Sequence, residues 1–156
     1  MMVRPAVRGE LERVNELREA VNQLHVEGRP DIFRPGFDNS LRQHLYTQFD
    51  AADHAVLVAE EQGKICGFAT VRLIERPANP FRLAIRYAEV EELGVDQQYQ
   101  RRGIGRALIE GAKAYAREHG VRRLELNMWS FNENALAFYE SVGFSTYRLY
   151  LETDVN

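Results

Sequence analysis

The sequence has 156 residues, 45% of them hydrophobic and 28% charged, with a formal net charge of −3 and a single cysteine. These proportions fit an ordinary globular chain and exclude disordered, fibrous and disulfide-stapled classes. The length suits one domain over residues 1–156 with a sizeable core.

The basic residues are scattered and the net charge is weak, which argues against nucleic acid as a partner. Nowhere do about 18 apolar residues run together, as a membrane span requires. The opening Met1-Met2-Val3-Arg4-Pro5 lacks the apolar core of a signal peptide, so a cytoplasmic protein is expected. Cys66, beside Gly67 and Phe68, reads as a buried thiol rather than a nucleophile.

Residues Met2 to Val7 are expected to form a short strand. Leu11, Val14, Leu17, Val21 and Leu24 then recur at helical spacing up to Gly28. The stretch from Gly28 to Gly36 includes Pro30 and Pro35 and reads as an ordered loop. A second helix, capped from among Asp38, Asn39 and Ser40, would turn Leu41, Leu45 and Phe49 inward. Ala55–Glu60 and Ile65–Leu73 are strand-like and flank Gln62-Gly63, which predicts a hairpin. Another turn falls at Arg76 to Pro80. The strand from Ile85 to Val95 would place Tyr87, Glu89 and Glu91 on one face and Val90 and Glu92 on the other if its alternation is unbroken. Acids on both faces are unexpected in a central strand.

Ile104, Ala107, Leu108, Gly111, Ala112, Tyr115 and Ala116 form one helical stripe of small and apolar residues, which Gly120 ends. Arg123 to Trp129 alternates as a strand. A last helix spans Glu133 to Val142, and a last strand is expected from Phe144 to Leu151. Hairpins among strands that alternate with helices predict an α/β fold of the α+β kind, a mixed sheet with helices packed on it.

Gly103 and Gly105 stand between a strand and a helix, where the first turn leaves backbone N–H groups unpaired at the positive end of the helix dipole. Such a place binds anions, and Arg101, Arg102 and Arg106 add charge around it, so pyrophosphate is the natural guest. A nucleotide P-loop would need Gly-Lys-Ser or Gly-Lys-Thr, which is absent. A dinucleotide fingerprint needs a small residue where Leu108 stands, although Glu125 lies at about the right distance to mimic its ribose-binding acid.

The run Gln100-Arg101-Arg102-Gly103-Ile104-Gly105-Arg106-Ala107-Leu108 is similar to the acyl-CoA pyrophosphate loop of the GNAT superfamily of N-acyltransferases, whose pattern is Gln or Arg, two residues, Gly, one residue, Gly or Ala. Downstream, the run from Asn132 to Phe144 resembles the second motif of that superfamily, an Asn seven residues before a Tyr and then Gly-Phe, here Asn132, Tyr139 and Gly143-Phe144. The order of elements is also similar across nearly the whole chain. The resemblance implies a mostly antiparallel central sheet of about six to seven strands flanked by about four helices. It further implies an N-acetyltransferase that moves an acetyl group from acetyl-CoA to a primary amine by direct attack in a ternary complex, without a metal.

Roles follow from the resemblance residue by residue. Backbone groups of Leu93 and Val95 would pair with the pantetheine arm where the strand splays from its neighbour. Gln100, Arg101, Arg102, Gly103, Ile104, Gly105 and Arg106 would hold the pyrophosphate. Asn132 and Ala135 would meet the cofactor arm, and the Tyr139 hydroxyl would protonate the departing thiolate. The plain structural roles of a helix N-cap for Asn132 and a core aromatic for Tyr139 stand beside these.

For the base, Glu89 lies fourteen residues before Gly103, the offset of the catalytic glutamate in histone-type members. Glu91 shares its face, and Glu92 becomes available if a bulge reverses the alternation. Alternatively, the three acids only shape a cleft that attracts a cationic acceptor. Asn127 stands where ribosomal-protein N-terminal acetylating members carry their glutamate, and it cannot act as a base. His25 and His119 lie near helix ends and read as capping groups.

On the acceptor side, His25, Arg29, Asp31, Phe33 and Phe37 of the first helix and its loop are candidates, with Asn127, Trp129 and Phe131 as a further wall. The acceptor would be a small-molecule amine or a protein or peptide amine, and the last strand would be available to a second copy in a homodimer. The competing readings are an acyl-CoA-binding sensor without catalysis and a nucleotide-binding protein.

Overall fold

Turn chemistry and alternation build the sheet. In the computed structural model, which describes all 156 residues, Gln62 and Gly63 both adopt positive φ, 51° and 76°. This matches the mirror-image turn favoured between twisted antiparallel strands. It joins β2 (His54–Glu61) to β3 (Lys64–Arg76). β1 (Met2–Pro5) pairs antiparallel with β2 on one side, and β4 (Ile85–Val95) pairs antiparallel with β3 on the other. β5 (Leu124–Glu125) lies parallel to β4, giving the order β1-β2-β3-β4-β5. Parallel neighbours need a crossover, and α3 (Ile104–Glu118) supplies it.

Helices cover both faces. α1 (Leu11–Gly28) and α2 (Asn39–Asp50) bury Leu11, Val14, Leu17 and Leu45 against Val56, Val58 and Phe68. Asp38 caps α2 by accepting from the Leu41 amide at 3.2 Å. On the opposite face Ile109, Ala112 and Ala116 of α3 pack with Leu57, Val71, Ala88 and Val90, joined by Val142 just after α4 (Glu133–Ser141). Ile104 and Leu108 complete that side with Ala59, Ala69 and Cys66, whose thiol burial pushes up in pKa. No helix is long and apolar enough to cross a membrane.

The expected alternation of β4 is broken. Thr70 faces Glu92 while Val71 faces Val90, so Glu91 is an extra residue, a bulge on β4. Val90 stays on the α3 face, whereas Glu92 joins Glu91 on the α1/α2 face, where the two reach His54, Gln48 and Arg18. The acids are therefore not split between faces. The displaced Glu92 amide is satisfied by the buried Thr70 hydroxyl at 3.1 Å.

The sheet has five strands rather than six to seven. The expected strand from Arg123 to Trp129 contracts to Leu124–Glu125, which pairs with Ala88 and Glu89 only. The expected last strand from Phe144 to Leu151 does not form. With so short a neighbour, its backbone finds no ladder. Side chains hold the segment instead: Tyr147 donates to Glu125 at 2.5 Å and stacks under Arg123, while Glu152 pairs with Arg29 at 2.8 Å. β-propensity without a partner strand does not make a strand.

If the Thr70 hydroxyl holds the bulge, Thr70→Val should cost about 1–3 kcal/mol, because it leaves the Glu92 N–H without its acceptor. Urea unfolding should show this loss, and Thr70→Ser should recover most of it.

Candidate active site

Two features meet at the end of β4. The first is the loop into α3. Asp96 accepts from the Gln98 amide at 2.9 Å and pairs with Arg13 at 2.5 Å, which fixes where the loop leaves the sheet. Arg101 and Gly103 then take left-handed backbone, φ 64° and 80°. Gly103 is the N-cap of α3 and offers no side chain to its first turn, so those amides are open. A Cβ at Gly103 would meet nothing within 4 Å, so the conformation, not crowding, asks for glycine there. Gly105 differs: a Cβ would lie 2.9 Å from the Phe138 ring, so this glycine admits α4 against α3. Arg102 stacks on Tyr99 at 5.1 Å, and Arg106 donates to the Ser141 carbonyl at 3.3 Å. An open helix N-terminus among three guanidiniums fits a pyrophosphate.

Beside this cradle, Asn132 caps α4 through its Oδ1, which accepts from the Ala135 amide at 3.2 Å. Its side-chain amide donors have no partner within the chain. The Tyr139 ring packs between Phe138 and Phe144, with centroids 5.2 and 5.7 Å away. Burial pushes the Tyr139 phenol above its ordinary pKa, which keeps it protonated. Beyond Glu89, β4 has no partner on the β5 side, so the sheet is open along the edge that carries Leu93 and Val95.

The second feature is a cavity of about 230 Å³ on the α1/α2 face. Arg18, Val21, Asn22 and His25 of α1, Phe33 and Phe37 of the loop, and Leu41 of α2 form one side. Glu91 and Glu92 of the bulge, with Asn127 and Trp129 after β5, form the other. Arg18 is 3% exposed and places four of its five N–H donors: it contacts both Glu92 oxygens at 2.7 and 3.1 Å, the Leu41 carbonyl at 2.7 Å and Asn15 at 2.8 Å. The Glu92 carboxylate is thereby occupied. Glu91 keeps one oxygen open. Its Oε1 accepts from Gln48 at 3.3 Å and lies 2.9 Å from His54 Nε2, and Oε2 has no partner within the chain.

The aromatic wall is ordered by its own contacts. Phe33 meets His25 at 5.1 Å and Trp129 at 5.2 Å, between ring centroids, and Phe131 meets His25 at 6.2 Å. A Cβ at Gly28 would lie 2.3 Å from the Phe131 ring, so that glycine makes room for the wall. His25 Nδ1 lies 2.8 Å from the Val21 carbonyl, which can only accept, so this nitrogen carries the hydrogen.

Family comparison agrees with this geometry. Residues 18–144 match the acetyltransferase (GNAT) family. The chain belongs to that family. It is 34% identical over 137 residues to a mycothiol acetyltransferase of Propionibacterium freudenreichii subsp. shermanii, a match covering 87% of this chain and 40% of that one. It is 35% identical over 85 residues to the ribosomal protein bS18-alanine N-acetyltransferase of Escherichia coli K12, covering 54% of this chain and 51% of that one. The chain thus spans about half or less of these two relatives. A tetramutant protein of Bacillus halodurans, solved by X-ray, superposes with a TM-score of 0.92 at 28% identity, covering 99% of this chain and 100% of that one.

Within this GNAT fold the residues singled out from sequence divide clearly. The cavity gathers His25, Phe33, Phe37, Asn127, Trp129, Glu91 and Glu92. Asp31 lies outside it, held at 3.0 Å by Arg29, whose guanidinium lowers the carboxyl's pKa and stacks on Trp129. Glu89 also lies outside, on the stretch of β4 that still pairs with β5. Its pKa is raised, first by burial and then by Glu91 and Glu125, against Arg72 and Arg76. His119 donates to the Tyr115 carbonyl at 2.9 Å near the end of α3, as a capping group would.

Sequence reasoning missed Arg18, Gln48 and His54. Arg18 falls in helical step with Leu11 and Val14 of the buried stripe, and that placement of a charge was the one available signal. Gln48 and His54 carry no local signal, since only the fold brings them to Glu91.

The assignment of Gly105 to packing has a direct test. Gly105→Ala should destabilise the chain by about 1–3 kcal/mol through overpacking against Phe138. Phe138→Leu in the same chain should restore part of the melting temperature.

Proposed function

We propose that this GNAT chain transfers an acetyl group from acetyl-CoA to a small primary amine. The carrying observation is the bulge of β4, which turns Glu91 and Glu92 into the cavity on a strand that runs on to the open amides of α3. Donor and acceptor would then approach from opposite sides of one sheet edge, which is the arrangement direct transfer needs.

A lysine-like amine has a reference pKa of about 10.4, so freeing it at pH 7 costs roughly 4 to 5 kcal/mol. The group that takes this proton must reach the amine. Glu91 fits best, since Glu92 is occupied by Arg18 and Glu89 lies outside the cavity. Amides at the start of α3 and the open edge at Leu93 and Val95 would hold the pyrophosphate and the pantetheine arm. Tyr139, kept protonated by burial, would give its proton to the departing thiolate.

The cavity also bears on the acceptor. Its volume of about 230 Å³ falls below the range of roughly 300–1,000 Å³ usual for drug-sized ligands. It therefore suits a small amine or one inserted chain end. Asn127 stands in place of the glutamate that the resemblance gives the ribosomal-protein members. The aromatic wall and one free carboxylate favour a monocation with an apolar body.

Thiol release with a panel of small amines tests the reading. Tyr139→Phe should lower kcat by about 10²–10⁴-fold, the usual range for lost acid–base catalysis, with little change in KM for acetyl-CoA. Because burial raises the Tyr139 pKa, the alkaline limb of kcat should lie above the ordinary phenol value of about 10 and vanish in the variant. Glu91→Gln should lose at least tenfold more kcat/KM than Glu89→Gln. The reverse order would return the base to Glu89.

A further inference from the structure

We propose that Asp53, His54 and Glu91 form a proton relay that carries the acceptor's proton from the cavity to solvent. The proposal rests on the acetyl-transfer reading and adds to it the route by which Glu91 is emptied.

His54 opens β2 and faces β4 from across the sheet. Its Nε2 lies 2.9 Å from Glu91 Oε1, and its Nδ1 bonds Asp53 Oδ1 at 2.8 Å. The ring side chain is 14% exposed, Asp53 51% and Glu91 25%, so exposure rises outward from the ring only toward Asp53 and the cavity. A carboxylate oxygen without a proton can only accept, and one faces each ring nitrogen, so the neutral ring donates to one of the two and a protonated ring donates to both.

The transfer balances without any other reactant. The acceptor ammonium gives its proton to Glu91 Oε2, which has no partner within the chain. Rotation of the Glu91 carboxyl turns the protonated oxygen to His54 Nε2, which takes the proton from the tautomer with its hydrogen on Nδ1, and an imidazolium forms that donates to both carboxylates. The Nδ1 proton leaves to Asp53 and then to water, and exchange with water restores the starting tautomer. One proton enters at Glu91 and one leaves at Asp53.

The surroundings suit this task. Arg72 of β3 lies 3.8 Å from Asp53, and the hydrogen bond from His54 lowers the Asp53 pKa, so the outer carboxylate readily gives up its proton. Glu89 on β4 and Tyr115 on α3 are the other titratable groups close by, each coupled to a relay carboxylate. Gln48 of α2 is 4% exposed and donates to Glu91 Oε1, which fixes the inner end, while its own Oε1 is buried without a partner.

His54 touches no substrate in this scheme and is a positioning residue acting through Glu91. His54→Gln keeps a donor for Glu91 but cannot shuttle a proton. It should lower kcat about tenfold or more, leave KM for acetyl-CoA unchanged, and make kcat rise with added imidazole buffer, which wild type ignores. Unchanged kcat, or a loss that imidazole does not relieve, would overturn the relay. An activity-independent arm uses nitrogen NMR of the His54 ring. The relay expects an Nε2 resonance that moves in Glu91→Gln, and an unmoved resonance also overturns it. Wild type that releases no thiol with any amine would instead sink acetyl transfer, and the NMR arm would still decide whether the three groups are coupled.

Discussion

One extra residue in β4 organises the cavity under α1 and α2. Without the bulge at Glu91, period-two alternation would send Glu92 into the apolar face under α3, beside Val90. With it, two consecutive acids face α1 and α2, and the strand bends away from β5 after Glu89. The same irregularity thus makes the cavity acidic and opens the sheet edge beside Leu93 and Val95. Thr70 tolerates this by accepting the displaced amide, so a fully buried hydroxyl in the middle of β3 serves the site across the strand.

Arg18 locks the arrangement. A guanidinium removed from water is tolerable only when its donors are matched, and here they are shared among Glu92, Asn15 and the Leu41 carbonyl. Those partners lie on β4, α1 and α2. One side chain therefore sets the separation of three elements that border the cavity, and it cancels the charge of Glu92 while doing so. The residue looks catalytic by burial and charge, yet its hydrogen bonds assign it to architecture.

The loop from β4 into α3 was legible in sequence because its constraints are local. Gly103 must take a left-handed conformation, α3 must start there with its amides open, and Gly143 must end α4; each demand writes a residue type at a fixed offset. The cavity is written in long-range contacts. His54 and Gln48 come to Glu91 only through strand register and helix packing, and neither residue type signals that meeting. Alternation also assumed an unbroken ladder, so it divided three acids between faces that the bulge unites. The C-terminal run failed for a related reason: Tyr147, Leu149 and Leu151 alternate as a strand does, but pairing depends on a neighbour, and β5 ends after two residues. The reading of Gly105 changed in kind. Its spacing suggested approach to phosphate, whereas the ring of Phe138 occupies the space a Cβ would need.

The charge count within the cavity then says what it can hold. Arg18 neutralises Glu92, Asp31 is turned away onto Arg29, and Glu91 is left as the one carboxylate with an open oxygen. Of the aromatic rings at the cavity, Trp129 already carries Arg29 and Phe37 carries Arg18 and Arg42, which leaves Phe33 without a cation. A second positive charge on the acceptor would find no counter-ion within the cavity and would lose hydration without return. Under the proposed acetyl transfer, a single ammonium would pair with Glu91, shed its proton there and become the neutral nucleophile. In that reading, selectivity for one charge and the chemistry of deprotonation fall on the same carboxylate.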